Sequence, residues 1–503
     1  MKLSSASSQK IRFGAIGLLN TALDFGLLFL FTSFGLASTT ANTISTGIAL
    51  IFSFFANKNY TFKEKKGNQW RQIILFFIVT LFGLWVIQNI IIKYLEPWLM
   101  GIGISEGLSL FLAKSVATAF SMVWNYILYD RVVFPKNSGN HIVIDARTIE
   151  SSTGRYMQRL VENINDHHQK DYRYTVIVPS TVVQKWQERL SHFTVVAGDQ
   201  KAYGFAEQLT LPLLLWRLKP TLTHFTMPQQ PLIWFGPSIT TIHDTTLIRY
   251  DNIDSNPLVY KVQKAIFIGL MHVVMRRSKH IITPTEFVKN DLGSYFGTKF
   301  FSRITVTLEA GEIPDAAPEP IKTLTGKDFV FFVGNAFPYK NVKRLILAHE
   351  QLLKKYPKLV LALAGKKDFF YTELEEYCKK HNINQVQFLG FISDGEKRWA
   401  LQHARAFATA SLSEGFCIPL LEAMTEGAPV VASNASCLPE VTGKAALLFD
   451  PSSTDDVVEK LDSLLSSKQL RQKMSDKGKA RVKQFSWKKM ANQTVVVYKK
   501  AIN

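Results

Sequence analysis

Cysteine is scarce in this chain: three among 503 residues, at Cys378, Cys417 and Cys437. Their spacing fits no metal-ligand pattern, and so few thiols exclude a disulfide scaffold and suit a reducing compartment. Acidic residues are also in deficit, with 40 Asp and Glu against 59 Lys and Arg, a formal net charge of +19. That sign calls for anionic partners. No Arg/Lys-aromatic stripe and no nucleic-acid module is present, so nucleic acid is set aside. Anionic lipid and phosphate-bearing substrates account for the charge instead. The largest absence is charge itself over long runs. Residues 25–57 and 72–92 carry none, and residues 107–129 carry only Lys114.

A membrane-spanning helix needs about 20 apolar residues. The uncharged runs therefore predict four spans, near 11–35, 38–58, 72–94 and 108–130. The first run is too long for a cleaved leader, and no small-residue cleavage site followed by a soluble sequence is expected. Lys2, Lys10 and Arg12 precede the first span; Lys58, Lys63, Lys65, Lys66 and Arg71 lie between the second and third; Arg131 and Lys136 follow the fourth. By the positive-inside rule, both termini and everything after residue 138 face the cytoplasm of a bacterial-type inner membrane.

Polar residues inside spans are costly and therefore informative. Asn20 and Asp24 stand in the first span, and Lys114 and Asn125 in the fourth. The heights of Asp24 and Lys114 differ by little more than one helical turn, which predicts an intramembrane ion pair or a shared anion site, with plain helix-helix hydrogen bonding as the alternative. The second and fourth spans close alike, as "NKNYTF" and "YDRVVF", a weak internal repeat of two helix pairs. "FGAIGLLNTALDFGLLFLF", "SFFANKNYTF" and "NYILYDRVVF" resemble the GtrA-like four-span family over about residues 8–137. The resemblance implies a role with polyprenyl-phosphate-linked sugars and leaves open whether the domain moves the lipid or only holds it.

"PKNSGNH", 135–141, reads as a turn-rich linker. Beyond it, short apolar strands ("HIVIDAR", "YTVIVPS", "LTHFT", "ITTIHD", "HIITPT") alternate with helical patterns, among them residues 153–166. "DFVFFVG" starts a second series through "LVLALAG", "VQFLGF", "AFATAS", "PVVAS" and "AALLFD". This alternation predicts two doubly wound parallel α/β domains, over 138–320 and 321–503, joined near 315–327. The last helix is expected to return to the first lobe. Ligands of such sheets bind beyond the carboxyl ends of the strands, here between the lobes. The basic-ended helix at 260–280 fits core packing, with bilayer-surface contact as the alternative.

The motifs at those strand ends carry the chemistry. In "VGNAFPYKNVKRLI", Asn335 and Lys340 follow a strand, Lys340 can meet a phosphate and Asn341 can cap the next helix. Lys366 follows Gly365 at the next strand end, again suited to phosphate. In "SEGFCIPLLEAM", Ser413, Glu414, Gly415 and Phe416 form a loop, and a helix starts near Cys417 and Ile418 with Pro419 in its first turn. Its free N–H groups can receive a pyrophosphate. Glu414 then stands beside the reacting sugar, and Glu422, one turn inside, can accept both hydroxyls of a ribose. His243 and Asp244 end a strand in "TIHDTT". Gly154 in "SSTGRYMQRL" lets backbone approach the donor phosphates, and Arg155 can meet an anionic acceptor.

"SEGFCIPLLEAMTEGAPVVASNASCLPEVTGKAALLFDP" and "VGNAFPYKN" resemble the sugar-nucleotide site of retaining glycosyltransferases of family 4, which have the GT-B fold; the similarity runs over roughly 140–503. It implies that Glu414 contacts the donor sugar, Glu422 the ribose and Lys340 the diphosphate, with Lys366 in a lesser part. It also implies that His243 touches the sugar or steadies the transition state. The chain departs from that pattern at Cys417, where glycine is commoner, and at Asn335, where arginine is commoner. The resulting expectation is a membrane-bound retaining hexosyltransferase. It would use a GDP- or UDP-linked sugar and a polyprenyl-diphosphate-linked saccharide, with no cofactor and, lacking an Asp-x-Asp motif, no metal. A lipid-linked sugar flippase with an inactive transferase-like domain is the alternative.

Overall fold

A computed structural model of the chain describes residues 5–63, 69–134, 140–151, 154–167, 172–200, 204–251, 257–311, 313 and 316–502. The linker apart from Asn140 and His141, the basic residues Lys2, Lys65, Lys66 and Lys136, and the expected helix start at 153 lie outside the described residues. Two compact units are present, Met1–Ser138 and Gly139–Asn503.

The first unit is helical. Its long helices run Ser5–Ser33, Ser38–Ala56, Gln69–Phe82 continuing as Gln88–Gly101, and Glu106–Leu128. Wider π-type turns follow the second and fourth (Asn57–Thr61, Tyr129–Val133) and interrupt the third (Gly83–Ile87). Among the described residues three helices, Gln9–Ser33, Gln72–Gly101 and Glu106–Leu128, are long and apolar enough to cross a bilayer. The helix Ser38–Ala56 occupies the place of the remaining expected span. Outward-facing side chains are apolar, among them Leu18, Phe29, Trp85 and Phe120, as a lipid-facing surface requires. The repeat is visible in space. The first helix packs on the second and the third on the fourth, and the closing Phe62 and Phe134 stack with ring centroids 5.3 Å apart.

The expected Asp24–Lys114 ion pair does not form. Asp24 accepts hydrogen bonds from Ser45 (2.7 Å) and Thr46 (3.3 Å) on the second helix, whereas Lys114 is exposed. Short hydroxyls on the neighbouring helix satisfy the carboxylate before a lysine from the fourth can reach it. Asn20 Oδ1 and Asn125 Oδ1 are buried without a hydrogen-bond partner.

The second unit holds two parallel sheets. The first orders its strands β3-β2-β1-β4-β5-β6-β7, formed by β1 (Asn140–Asp145), β2 (Tyr172–Val178), β3 (Phe193–Ala197), β4 (Leu222–Phe225), β5 (Ser238–Thr241), β6 (His280–Thr283) and β7 (Ile304–Val306). The second is β10-β9-β8-β11-β12-β13, formed by β8 (Phe329–Val333), β9 (Val360–Ala364), β10 (Val386–Gly390), β11 (Ala406–Thr409), β12 (Val430–Ser433) and β13 (Ala446–Phe449). Most strands are buried on both faces, so they are continuous Val, Ile, Leu, Phe and Ala runs rather than alternating ones. Each sheet reverses direction once, between β1 and β4 and between β8 and β11. Such switch points leave a crevice beyond the strand ends. The last helix, Trp487–Ile502, crosses to the first lobe and packs on the helix Arg155–Asp166. Tyr498 and His224 share a hydrogen bond of 2.7 Å there. Core side chains from both lobes join one cluster.

Candidate sugar-nucleotide site

The switch point of the second sheet explains how residues 74 positions apart meet. Lys340 ends a short 3-10 turn, Pro338–Lys340, just after β8, and Glu414 follows β11, the strand beside it. Lys340 Nζ donates to Glu414 Oε1 at 2.6 Å, and Leu412 N–H donates to the Tyr339 carbonyl at 2.7 Å, locking the two loops together. Both side chains are largely buried, 16% and 10% exposed. Burial works against the charged ammonium, but Glu414 outweighs it and holds the Lys340 pKa above its ordinary value. Glu414 N–H donates to Ser436 Oγ at 3.1 Å, which fixes the loop on the other side.

The helix Ile418–Thr425 begins immediately after this loop, with Pro419 in its first turn. Cys417 precedes it at φ +69°, in the left-handed region that favours glycine. Burial, then Glu414, push its thiol pKa well up. Phe416 is buried against Phe485, ring centroids 5.8 Å apart, so its side chain serves the core. Glu422 is 4% exposed and accepts from Lys397 Nζ with both oxygens, at 3.1 and 3.2 Å. Lys397 also pairs with Asp394 at 3.2 Å, and Asp394 stands 3.9 Å from Arg155 of the first lobe.

The remaining expected donor residues are placed less directly. Asn335 Oδ1 accepts from Phe337 N–H at 3.4 Å, bending the loop after β8. Lys366 is exposed after β9 and makes no ion pair among the described residues, while Lys367 pairs with Glu375 at 2.7 Å. Asn341 does not cap its helix; at φ +54° its side chain turns away and donates to the Pro451 carbonyl at 3.0 Å. Gly154 precedes the helix Arg155–Asp166, and a Cβ there would come 2.0 Å from the Ile149 carbonyl oxygen.

Across the cleft, a Cβ at Gly415 would come 1.8 Å from the His243 carbonyl oxygen, so only glycine permits this approach. Thr285 Oγ1 donates to the Gly415 carbonyl at 3.0 Å. Glu440 accepts from the N–H groups of Glu286 and Phe287, both at 2.9 Å, capping a first-lobe helix with a second-lobe carboxylate. His243 lies between two acceptors, Glu309 Oε1 on Nδ1 and the Thr226 carbonyl on Nε2, both at 3.0 Å. A carboxylate oxygen and a backbone carbonyl both accept, so the arrangement favours a proton on each ring nitrogen. Burial opposes that charge, but the Glu309 hydrogen bond and charge prevail, and the pKa is raised. Both ring nitrogens are thereby occupied, and the part of His243 that meets the second lobe is its backbone carbonyl, against Gly415.

A cavity of about 300 Å³ opens at the switch point of the first sheet, lined by Asp145, Arg147, Thr148, Thr226 and Gln229 among others. Arg147 is held by Asp145 at 2.8 Å and Glu207 at 2.5 Å. Gln229 Oε1 is buried without a partner. Sequence reasoning missed Lys397, Glu309, Asp145, Arg147 and Gln229. Lys397 alone had a nearby sign, the capping box of Ser393 and Glu396 that starts its helix at a strand end.

Among the described residues no three of His, Cys, Asp and Glu converge as metal ligands would.

Comparison with known proteins agrees with this fold. Residues 315–481 match the family described as glycosyl transferases group 1, and residues 12–134 match the GtrA/DPMS transmembrane domain. O-antigen chain mannosyltransferase B of Escherichia coli is 28% identical over 273 residues, 52% of this chain and 70% of that protein. The MMP alpha-(1->4)-mannosyltransferase of Mycolicibacterium hassiacum is 43% identical over 115 residues, 22% of this chain and 28% of that protein. The fold is shared with Anabaena HepE in complex with UDP and glucose, at TM-score 0.56 and 18% identity, over 72% of this chain and 99% of that one. The chain is therefore a membrane protein that joins a GtrA/DPMS transmembrane domain to a group 1 glycosyltransferase of GT-B fold.

Proposed function

We propose that this glycosyltransferase moves a hexose from a nucleoside diphosphate sugar to a lipid-linked, polyprenyl-diphosphate-borne saccharide at the cytoplasmic leaflet, with retention. The observation that carries the reading is the buried Lys340–Glu414 pair, 2.6 Å apart at the start of the helix Ile418–Thr425. A lysine and a helix N-terminus together form a place for a diphosphate, and the adjoining carboxylate accepts sugar hydroxyls. The two mannosyltransferase relatives and the UDP-bound structural neighbour support the donor class, with mannose the first sugar to try.

An arriving diphosphate competes with Glu414 for Lys340. The lysine then turns to the phosphate, and Glu414 is released to the sugar. Glu422 exchanges in the same way, giving up Lys397, which keeps Asp394, for the two ribose hydroxyls. As the bond from the anomeric carbon to the phosphate oxygen breaks, negative charge grows on the diphosphate beside Lys340 and the helix amides, the largest electrostatic demand of the step. The acceptor hydroxyl oxygen bonds to the anomeric carbon on the face the diphosphate leaves, and its proton passes to the departing phosphate oxygen. No divalent ion or cofactor is assigned a part. The basic residues flanking the spans support a cytoplasmic transferase unit. The reading is tested with the full chain in nanodiscs, supplied with UDP-, GDP- and dTDP-sugars and lipid extract. Sugar transfer to lipid from one donor supports it, and no transfer or donor hydrolysis with any of them refutes it.

A further inference from the structure

The first lobe leaves one face bare. The crossovers β3 to β4 and β5 to β6 run in the same direction along the sheet, so right-handed connection puts both their helices, Phe205–Leu218 and Pro257–Arg277, on the same face. The inner sides of these helices are core: Leu211 and Leu215 pack on Trp234, and Met271, Val274 and Met275 pack on Ile242 and Ile281. Their outer sides are apolar as well. Leu209, Leu213 and Trp216, spaced to share one helix face, are 54%, 50% and 57% exposed. The loop between β4 and β5 adds exposed Leu232, Ile233 and Phe235.

These pieces are contiguous. Gln208 on the first helix accepts from Leu232 N–H at 2.7 Å. Arg277 at the end of the second helix donates to the Leu232 carbonyl and lies 4.7 Å over the Phe235 ring. Ile266 and Val273 fall on the same helical stripe as Arg277, and Ile266 is 66% exposed. Charge on this surface is mainly positive, Asp251 pairing with Lys264 at 2.7 Å. Residues 208–243 and 255–285 contain no Asp or Glu, yet include Arg217, Lys219, Lys261, Lys264, Arg276, Arg277 and Lys279. An exposed apolar surface with a mainly cationic rim fits an anionic bilayer surface: aliphatic and indole groups enter the interface while cations meet lipid phosphates. The same chain carries a transmembrane domain, so a bilayer is always within reach. We propose that the outer face of the first lobe, formed by the helix Phe205–Leu218, the loop 231–236 and the helix Pro257–Arg277, docks on the anionic surface of the membrane in which the chain is anchored.

The test reconstitutes the full chain in nanodiscs containing a lipid that bears a photoactivated carbene near its headgroup, followed by peptide mass spectrometry. Phosphatidylglycerol-containing discs should give adducts on peptides spanning 205–219 and 231–237, in addition to those from the transmembrane domain. Pure phosphatidylcholine discs, or Arg217→Ala and Arg277→Ala in anionic discs, should each lower those adducts by about fivefold or more. Trp216→Glu should do the same, with an unchanged melting temperature showing that the lobe is folded. The wild-type comparison of the two lipid compositions needs no substitution at all. Adducts confined to the transmembrane domain in anionic discs overturn the proposal. So does protection of the patch by a second copy, seen as intermolecular cross-links through Trp216 and a doubled mass.

Discussion

Replacing Lys340 with Met separates the structural and catalytic parts of the Lys340–Glu414 pair. Removing one partner of a buried ion pair costs about 3–5 kcal/mol because the other charge stays uncompensated. The lysine retains 16% exposure, so the low end, about 3 kcal/mol, applies, which lowers the melting temperature by roughly 5–10 °C in a domain of this size. Transfer should fall by about 10²–10³, the cost of losing one preorganised charge from a developing anion. Those two losses could share a cause, namely a distorted loop. Lys340→Met/Glu414→Gln resolves them: the neutral amide leaves no buried charge, so most of the lost stability returns. Transfer does not return, because neither the leaving diphosphate nor the sugar regains its partner. Melting curves and product formation, measured on the same nanodisc preparations, give both quantities. Activity recovering together with stability in the double variant would refute the reasoning and reduce the pair to a strut.

Three further outcomes follow from other parts of the site. Glu422→Gln should raise the KM for the donor about tenfold or more and leave kcat within a few-fold, since a ribose contact far from the bond being broken binds ground and transition states alike. Cys417→Gly should be tolerated and raise stability by up to about 1 kcal/mol, because relief of left-handed strain slightly exceeds the entropic cost of glycine; a loss of stability in thermal melts contradicts the assignment. Stability should decline in acid: burial holds His224 at a pKa of about 3 and His349 at about 4. Both are neutral in the folded chain and protonate near pH 6.5 when unfolded, so their contribution is complete above about pH 6.5 and is lost as pH falls toward those values. His224→Gln should flatten the dependence of melting temperature on pH between 6.5 and 5.

Much of the architecture is legible in residue order because it rests on burial. Charge-free runs mark the spans, and unbroken runs such as "FVFFV" and "VLALA" mark strands covered on both faces. The helix start at Cys417 is also local, announced by Pro419 and the preceding glycine loop. What escaped depends on distant partners. Lys397 reaches Glu422 from 25 residues upstream, and Glu309 reaches His243 across 66; only the completed sheet order puts them side by side. Asp24 and Lys114 failed as a pair for a related reason. Matching height along helix axes does not determine which faces meet, and Ser45 was the nearer hydrogen-bond donor. Asn341 has the residue type of a cap, but its left-handed backbone points the side chain to Pro451.

The central claim is that the cleft grips a nucleoside diphosphate sugar through Lys340 and the helix beginning at Ile418. Isothermal titration of the full chain in nanodiscs with UDP- and GDP-linked hexoses tests it most directly. The account predicts saturable heat with at least one of them, abolished in Lys340→Met/Glu414→Gln although that variant remains folded. Absence of heat with every nucleotide sugar, or undiminished binding by the double variant, would contradict it.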